Sequence, residues 1–138
     1  MDIDKDCKEK IRKLAIKQDL KFVILYGSLA KNIQNIGSDI DIAVLGNKEI
    51  VFDDIIELNN EFSDIFQVKE IDVKSLHNVG PLFRYQVMSN SILLYGSMHD
   101  YNSFRAYAFR DYCDSKSLFD LKLKIINLRI KDLKKIND

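Results

Sequence analysis

The stretch Phe22-Val23-Ile24-Leu25-Tyr26-Gly27-Ser28, followed by Ser38-Asp39-Ile40-Asp41-Ile42-Ala43-Val44-Leu45, decides how this chain reads. The first run is continuously apolar and short, the pattern of a strand buried on both faces. Gly27-Ser28 ends it. Leu29 to Ile33 then read as a short helix, and Gln34 to Gly37 as a polar loop. The second run alternates in part and reads as another strand, ended by Gly46-Asn47. Asp39 and Asp41 stand two apart in it, so their side chains point to one face while Ile40, Ile42 and Val44 point to the other. Aspartate disfavours strands. Two neighbouring carboxylates also repel each other unless a cation lies between them. Hard divalent cations such as Mg²⁺ take carboxylate oxygens and leave positions for water and phosphate. The bland alternative is an acidic pair that decorates a solvent-facing edge strand.

Working outward, residues 4–18 read as a helix, with Cys7, Ile11, Leu14 and Ala15 on one face. Asp19-Leu20 is a short turn. Residues 49–63 form a second amphipathic helix, with Val51, Ile55, Leu58 and Phe62 on its stripe. Val68 to Val73 read as a third strand. Gly80-Pro81 opens a helix, with proline at the first position, where no amide bond is lost. Ile92 to Tyr95 form the last strand, stopped by Gly96. From Tyr101 to Ile136 the chain is helical and highly charged, with a break expected near Asp114-Ser115. This order predicts an α/β (α+β) single domain, a small mixed β-sheet with flanking helices and a long C-terminal helical tail. Residues 1–98 would be the core and 99–138 an extension of the same domain suited to docking a partner. The pattern does not fix the strand order.

Lys plus Arg and Asp plus Glu are both 21, so the chain is formally neutral. That argues against a protein that holds nucleic acid mainly by charge, although a local basic patch is compatible with it. No apolar run is long enough to span a membrane. The start, Met1-Asp2-Ile3-Asp4-Lys5-Asp6, lacks the apolar core of a signal peptide, which predicts a cytoplasmic protein. Cys7 and Cys113 share no metal or redox spacing and read as reduced thiols in helices. His77 and His99 are single, in predicted loops, and suggest no zinc site. There is no P-loop motif and no nucleophile-elbow pattern.

Gly27-Ser28 changes the weight given to the two aspartates. A glycine between a buried strand and a helix lets a ligand approach the backbone closely. The Ser28 hydroxyl and the following amides can hold phosphate oxygens, and Lys31, one turn on, can meet the same group. Tyr95-Gly96-Ser97 repeats the letters with no D-x-D after it and reads as an ordinary strand end. Asp72, between Ile71 and Val73, is an acid inside an apolar strand. Were that strand beside the second, Asp72 would complete a three-carboxylate cluster. Glu70 shares its face and competes for the role, and a salt bridge to a surface lysine is the plain alternative for either. Tyr101, Phe104, Tyr107, Phe109 and Tyr112 form an aromatic cluster suited to core packing or docking. Leu118, Leu121, Ile125 and Leu128 form one helical stripe, and Ile126, Ile130 and Leu133 a second. Together they are broader than a single packing seam requires.

Gly27-Ser28-x-Ala30-Lys31, then Ser38-Asp39-x-Asp41, with Asp72 one strand later, resembles the DNA polymerase β-type nucleotidyltransferase superfamily. The resemblance is to its minimal nucleotidyltransferase (MNT) branch, the antitoxins paired with HEPN toxins, and spans about residues 10–98. It implies the nucleotidyltransferase fold, with Asp39, Asp41 and Asp72 as catalytic and metal-binding residues. Gly27, Ser28, Lys31 and Ser38 would bind the nucleotide. Lys31 stands where the family often has arginine, and Asn35 where another base is common. Two Mg²⁺ ions as cofactors and ATP as substrate are implied, as is AMP transfer to a tyrosine hydroxyl of a HEPN ribonuclease toxin encoded nearby. The alternatives are an antitoxin that acts by binding alone and a small-molecule nucleotidyltransferase like those acting on aminoglycosides.

Overall fold

A computed structural model describes residues 3–27, 40–69 and 71–137. The described elements run α1 (Lys5–Lys17), β1 (Leu20–Tyr26), β2 (Ile40–Gly46), α2 (Phe52–Phe66), β3 (Ile71–Ser75), α3 (Pro81–Ser89), β4 (Ser91–Tyr95) and α4 (Met98–Asn137). The expected helix at 29–33 and loop at 34–37 lie outside the described residues, as does the start of the second strand.

The strand order is β3-β2-β1-β4. β1 pairs antiparallel with β2 and with β4, and β2 pairs parallel with β3, so the sheet is mixed. The apolar run of β1 sits at its centre because it can be covered on both faces. Val23 and Leu25 face one way with Ile42 and Val44, and pack on Ile11 and Leu14 of α1 and Leu58 and Phe62 of α2. Phe22 and Ile24 face the other way with Ala43 and Leu45, against Val87 and Met88 of α3 and Tyr101 and Ala108 of α4. Phe22 meets the rings of Tyr101 and Phe104 edge-on, at 6.1 and 5.6 Å. Phe104 therefore belongs to the core.

The helix ends follow from local chemistry. Asp4 caps α1 by accepting from the Cys7 amide at 2.8 Å. Asp19, at φ 55°, turns the chain into β1, which begins at Leu20. α2 starts and stops three residues later than the periodicity predicts. Ile50 is spent in the core before the helix begins, and Gln67 takes the left-handed conformation that ends it. The Val68 amide bonds back to the Ser63 carbonyl, so Val68 closes the helix and β3 begins only at Ile71.

Two expectations about the tail need correction. There is no break near Asp114-Ser115: α4 is one helix from Met98 to Asn137. No glycine or proline follows Gly96, so nothing in this segment interrupts the hydrogen-bond ladder. His99 lies in the first turn of that helix, not in a loop. His77 is in a turn, its Nε2 3.0 Å from the Gly46 carbonyl. Cys7 and Cys113 are both helical and free.

Arg84, which the sequence reading passed over, fastens this side of the sheet. It is 9% exposed. It donates to the carbonyls of Leu76 (3.1 Å) and Val79 (3.0 Å) and to the Asp111 carboxylate (3.2 Å), and lies over the Tyr107 ring. A buried guanidinium is tolerable only when so fully partnered. It ties the turn after β3 to α4, while Tyr85 stacks on Tyr112 at 4.5 Å to join α3 to α4.

Candidate active site

The site grows from the ladder register at one end of the sheet. Tyr26, the last residue of β1, lies opposite Asp41 in β2. Asp41 lies opposite Asp72 in β3. Residues directly opposed on neighbouring strands point to the same face, and strands are about 4.8 Å apart. Tyr26, Asp41 and Asp72 thus form a row across three adjacent strands. It continues the face that carries Ile24 and Ala43.

Gly27 sits beside this row with φ +83°. A Cβ built on it would stand 2.6 Å from Asp41 Oδ2. The glycine therefore serves twice: its left-handed backbone suits no other residue as well, and any side chain there would displace the Asp41 carboxylate. Asp41 is half-buried. Asp72 is open, 54% exposed at its side chain, and its Oδ1 lies 3.7 Å from Lys74 Nζ. The salt bridge allowed for at the sequence level thus exists, but an exposed pair at this distance contributes little.

Tyr26 is the member of the row that sequence reasoning missed, because it looked like the last apolar residue of a strand. Its half-buried ring meets Phe83 edge-on at 6.0 Å. Burial, followed by the nearby charges of Asp41 and Asp72, pushes its phenol well above the ordinary tyrosine range. The phenol stays protonated at neutral pH and can donate a hydrogen bond. The only signal for it in the sequence was its place directly before Gly27.

Of the other expected site residues, Ser28, Lys31, Ser38 and Asp39 lie outside the described residues, and so does Glu70. Among the described residues no group of three or more His, Cys, Asp or Glu side chains gathers into a metal-holding cluster. Asp41 and Asp72 are a pair, and the D-x-D partner of Asp41 is Asp39.

The second Tyr-Gly-Ser lies at the opposite end of β1. Tyr95 pairs with Val23, and Ser97 Oγ accepts from the Asp100 amide at 3.0 Å, capping α4. It is a strand end, as the sequence predicts, and a helix cap as well. A cavity of about 760 Å³ opens beside it, lined by Lys8, Arg12, Lys21, Tyr95 and Asp100 among others. Its acids are Glu9, which is paired with Arg12 at 2.7 Å, and Asp100, and no strand register sets them side by side as it does Asp41 and Asp72. Charge, register and the glycine contact make the acidic end the candidate site.

Comparison with known proteins identifies the family to which this framework belongs. A Methanocaldococcus jannaschii relative provisionally named a protein adenylyltransferase is 29% identical over 87 residues, covering 63% of this chain and 92% of its own. In fold, the chain is similar to a chain of a toxin–antitoxin complex crystallised with AMP-PNP, with TM-score 0.72 and 23% identity over 86% of this chain and 97% of that one. It is also similar to a chain of the Shewanella oneidensis complex of a tri-AMPylated HEPN toxin with MNT antitoxin. There the TM-score is 0.67 and the identity 21%, over 87% of this chain and 95% of that one. The family described as polymerase beta, nucleotidyltransferase matches residues 9–100, which takes in β1 through β4 and the whole acidic row. The chain belongs to the polymerase beta nucleotidyltransferase family.

Proposed function

We propose that this nucleotidyltransferase uses Mg²⁺-ATP to place AMP on a tyrosine hydroxyl of a HEPN-family toxin, and so acts as its antitoxin. The observation that carries this reading is the register that sets Asp41 beside Asp72, with Gly27 against the Asp41 carboxylate. Two relatives lend it weight: one named for protein adenylylation, and one complex in which a HEPN toxin carries AMP.

The donor set fits magnesium. Two carboxylates on neighbouring strands supply hard oxygen ligands, and Asp39, the D-x-D partner of Asp41, would add a third. When bound, two Mg²⁺ ions would offset the charge of the triphosphate and of the leaving pyrophosphate. The chain's own residues do the rest. Gly27 leaves room for the nucleotide and the Asp41 carboxylate at one spot. Ser28, Lys31 and Ser38 would hold phosphate oxygens. The incoming hydroxyl attacks the α-phosphorus, the bond to the β-phosphate oxygen breaks and pyrophosphate leaves. Asp72 takes the hydroxyl proton and passes it to water. Its exposure favours an acceptor carried on another protein over a small molecule held in a closed pocket, because a protruding tyrosine can reach it. No described helix is long and apolar enough to cross a membrane, which accords with a cytoplasmic site of action.

The test is incubation of the HEPN toxin encoded beside this chain with catalytic amounts of the protein, labelled ATP and Mg²⁺, followed by mass spectrometry. The expected product is a toxin tyrosine bearing AMP, with toxin activity lost. Protection that needs a full equivalent of protein and ignores ATP would establish binding-only neutralisation instead.

A further inference from the structure

The last part of α4 is built to be buried, yet this chain leaves it in water. From Lys116 to Ile136 every side chain is exposed. Leu118, Leu121, Ile125 and Leu128 follow one another at intervals of three and four, and are 44–62% exposed. Phe119, Leu123, Ile126, Ile130 and Leu133 follow the same spacing on another flank and are 43–60% exposed. At about 100° per residue the two seams lie roughly 140° apart around the helix. One packing partner needs one seam. Two separate seams are the mark of a helix that lies between two others.

The charge on this segment is equally uneven. Residues 116–137 hold seven Lys or Arg and two Asp, while the whole chain is neutral. The tail therefore carries a surplus of five positive charges, and the remainder of the chain balances it. Lys122 and Arg129, one heptad apart, occupy the narrow strip between the two seams. Groups on two flanking helices would converge on that strip. A second copy of this chain would bring an equally basic tail against it, which like-charge repulsion opposes. Nucleic acid would satisfy the charge but leave the nine large apolar side chains of the two seams uncovered.

We propose that the distal half of α4 is the middle member of a three-helix arrangement, whose two outer helices come from an acidic partner protein, one on each seam. This rests on the antitoxin reading for its probe, the neighbouring HEPN toxin, but not on AMP transfer. The length fits such a use: residues 116–137 extend roughly 33 Å, several turns of continuous contact.

The experiment measures toxin binding by calorimetry without ATP, with three variants of the full chain: Leu121→Glu/Ile125→Glu in the first seam, Ile126→Glu/Ile130→Glu in the second, and Lys122→Glu/Arg129→Glu in the strip. These side chains are exposed, so circular dichroism should show the helix and core retained. Each seam variant should bind at least about tenfold more weakly, and the strip variant should bind weakly and lose its sensitivity to salt. Loss confined to one seam would overturn the two-helix arrangement. Wild-type affinity in all three variants would place the docking surface elsewhere, leaving AMP transfer to be judged separately by mass spectrometry. Failure of the wild-type chain to bind the toxin would overturn both readings. A dimer of the chain alone that these variants dissolve would make a second copy the occupant. An RNA oligonucleotide that binds the seam variants as tightly as wild type would make the tail a nucleic-acid arm. Either result would overturn the proposal.

Discussion

Two turns in this protein carry the same three letters and do different work. Tyr26-Gly27-Ser28 and Tyr95-Gly96-Ser97 both end a strand, and both glycines have positive φ, +83° and +117°. The difference lies in what comes against them. Gly27 is approached by the carboxylate of Asp41, the tip of a side chain. A Cβ on Gly96 would stand 2.6 Å from Phe22 Cβ and 2.8 Å from the Lys21 carbonyl oxygen, parts of the core and the backbone. One glycine makes room for a functional group and the other makes room for the fold. The three letters alone cannot distinguish them, because the approaching atoms come from elsewhere in the chain; the D-x-D that follows only the first is the sequence signal that does. The distinction is set by register: β2 brings Asp41 to the end of β1, while β4 brings its own end back over the start of β1.

The comparison breaks most sharply at the acids. Asp41→Asn should reduce AMP transfer to background, because an amide cannot supply a metal ligand's charge. Asp72→Asn should lower kcat by about 10²–10⁴ if it takes the proton, with less effect on nucleotide binding. Asp100→Asn, beside the second turn, should leave transfer unchanged. Steady-state kinetics on the three proteins checks all of this, and wild-type turnover in the Asp41 variant would remove the site from this end of the sheet.

Substituting the glycines should separate stability from activity. Gly96→Ala meets atoms that cannot move aside and has an unfavourable φ, so unfolding should cost about 2–4 kcal/mol less in the variant. Gly27→Ala meets a carboxylate that can rotate away, so about 1–2 kcal/mol is expected from the backbone alone. Transfer should nevertheless fall further in the Gly27 variant, since the displaced group is Asp41. Denaturant melts and turnover measured on the same preparations give both axes. The serines make a gentler version of the test. Ser97→Ala removes the cap of α4 and should cost about 1 kcal/mol of stability, with nucleotide affinity unchanged. Ser28→Ala should instead weaken nucleotide affinity by about 1–3 kcal/mol if its hydroxyl meets a phosphate oxygen.

What the sequence made legible follows from the range of each interaction. Strand β1, helix α1 and the proline-led α3 depend on neighbours within a few residues, and their patterns carry that information. The pairing of Asp41 with Asp72 joins residues far apart in the chain; the sequence supplied both acids and only a conditional statement that their strands might be neighbours. Tyr26 was hidden because an aromatic residue ending a buried strand is ordinary until its cross-strand partner is known. Arg84 was hidden for the same reason: its acceptors are two carbonyls in the following turn of β3 and one acid of α4, none of which announces itself. Conversely, the expected break in α4 arose from reading Asp114-Ser115 as a stop, although no glycine or proline stood there to enforce one.

The smallest effect concerns Tyr26 and sets a sign as well as a size. The folded protein holds the Tyr26 phenol above the ordinary value, first by burial and then through Asp41 and Asp72. In the unfolded chain it titrates near pH 10. The folded state therefore prefers the neutral phenol, and this contribution to stability is fully present below about pH 10. Above that pH the unfolded chain ionises first, and the contribution is lost progressively as the pH rises toward the folded value. Tyr26→Phe cannot ionise, so its stability should fall less steeply than wild type on the alkaline side and match its own neutral-pH offset below it. Magnesium sharpens the test. If the ion binds Asp41 and Asp72, it offsets their charge and should narrow the difference between wild type and Tyr26→Phe, leaving the part due to burial. Urea melts between pH 8 and about pH 11, with and without Mg²⁺, would check this. A difference that ignores magnesium would mean the two carboxylates beside Tyr26 do not hold the metal.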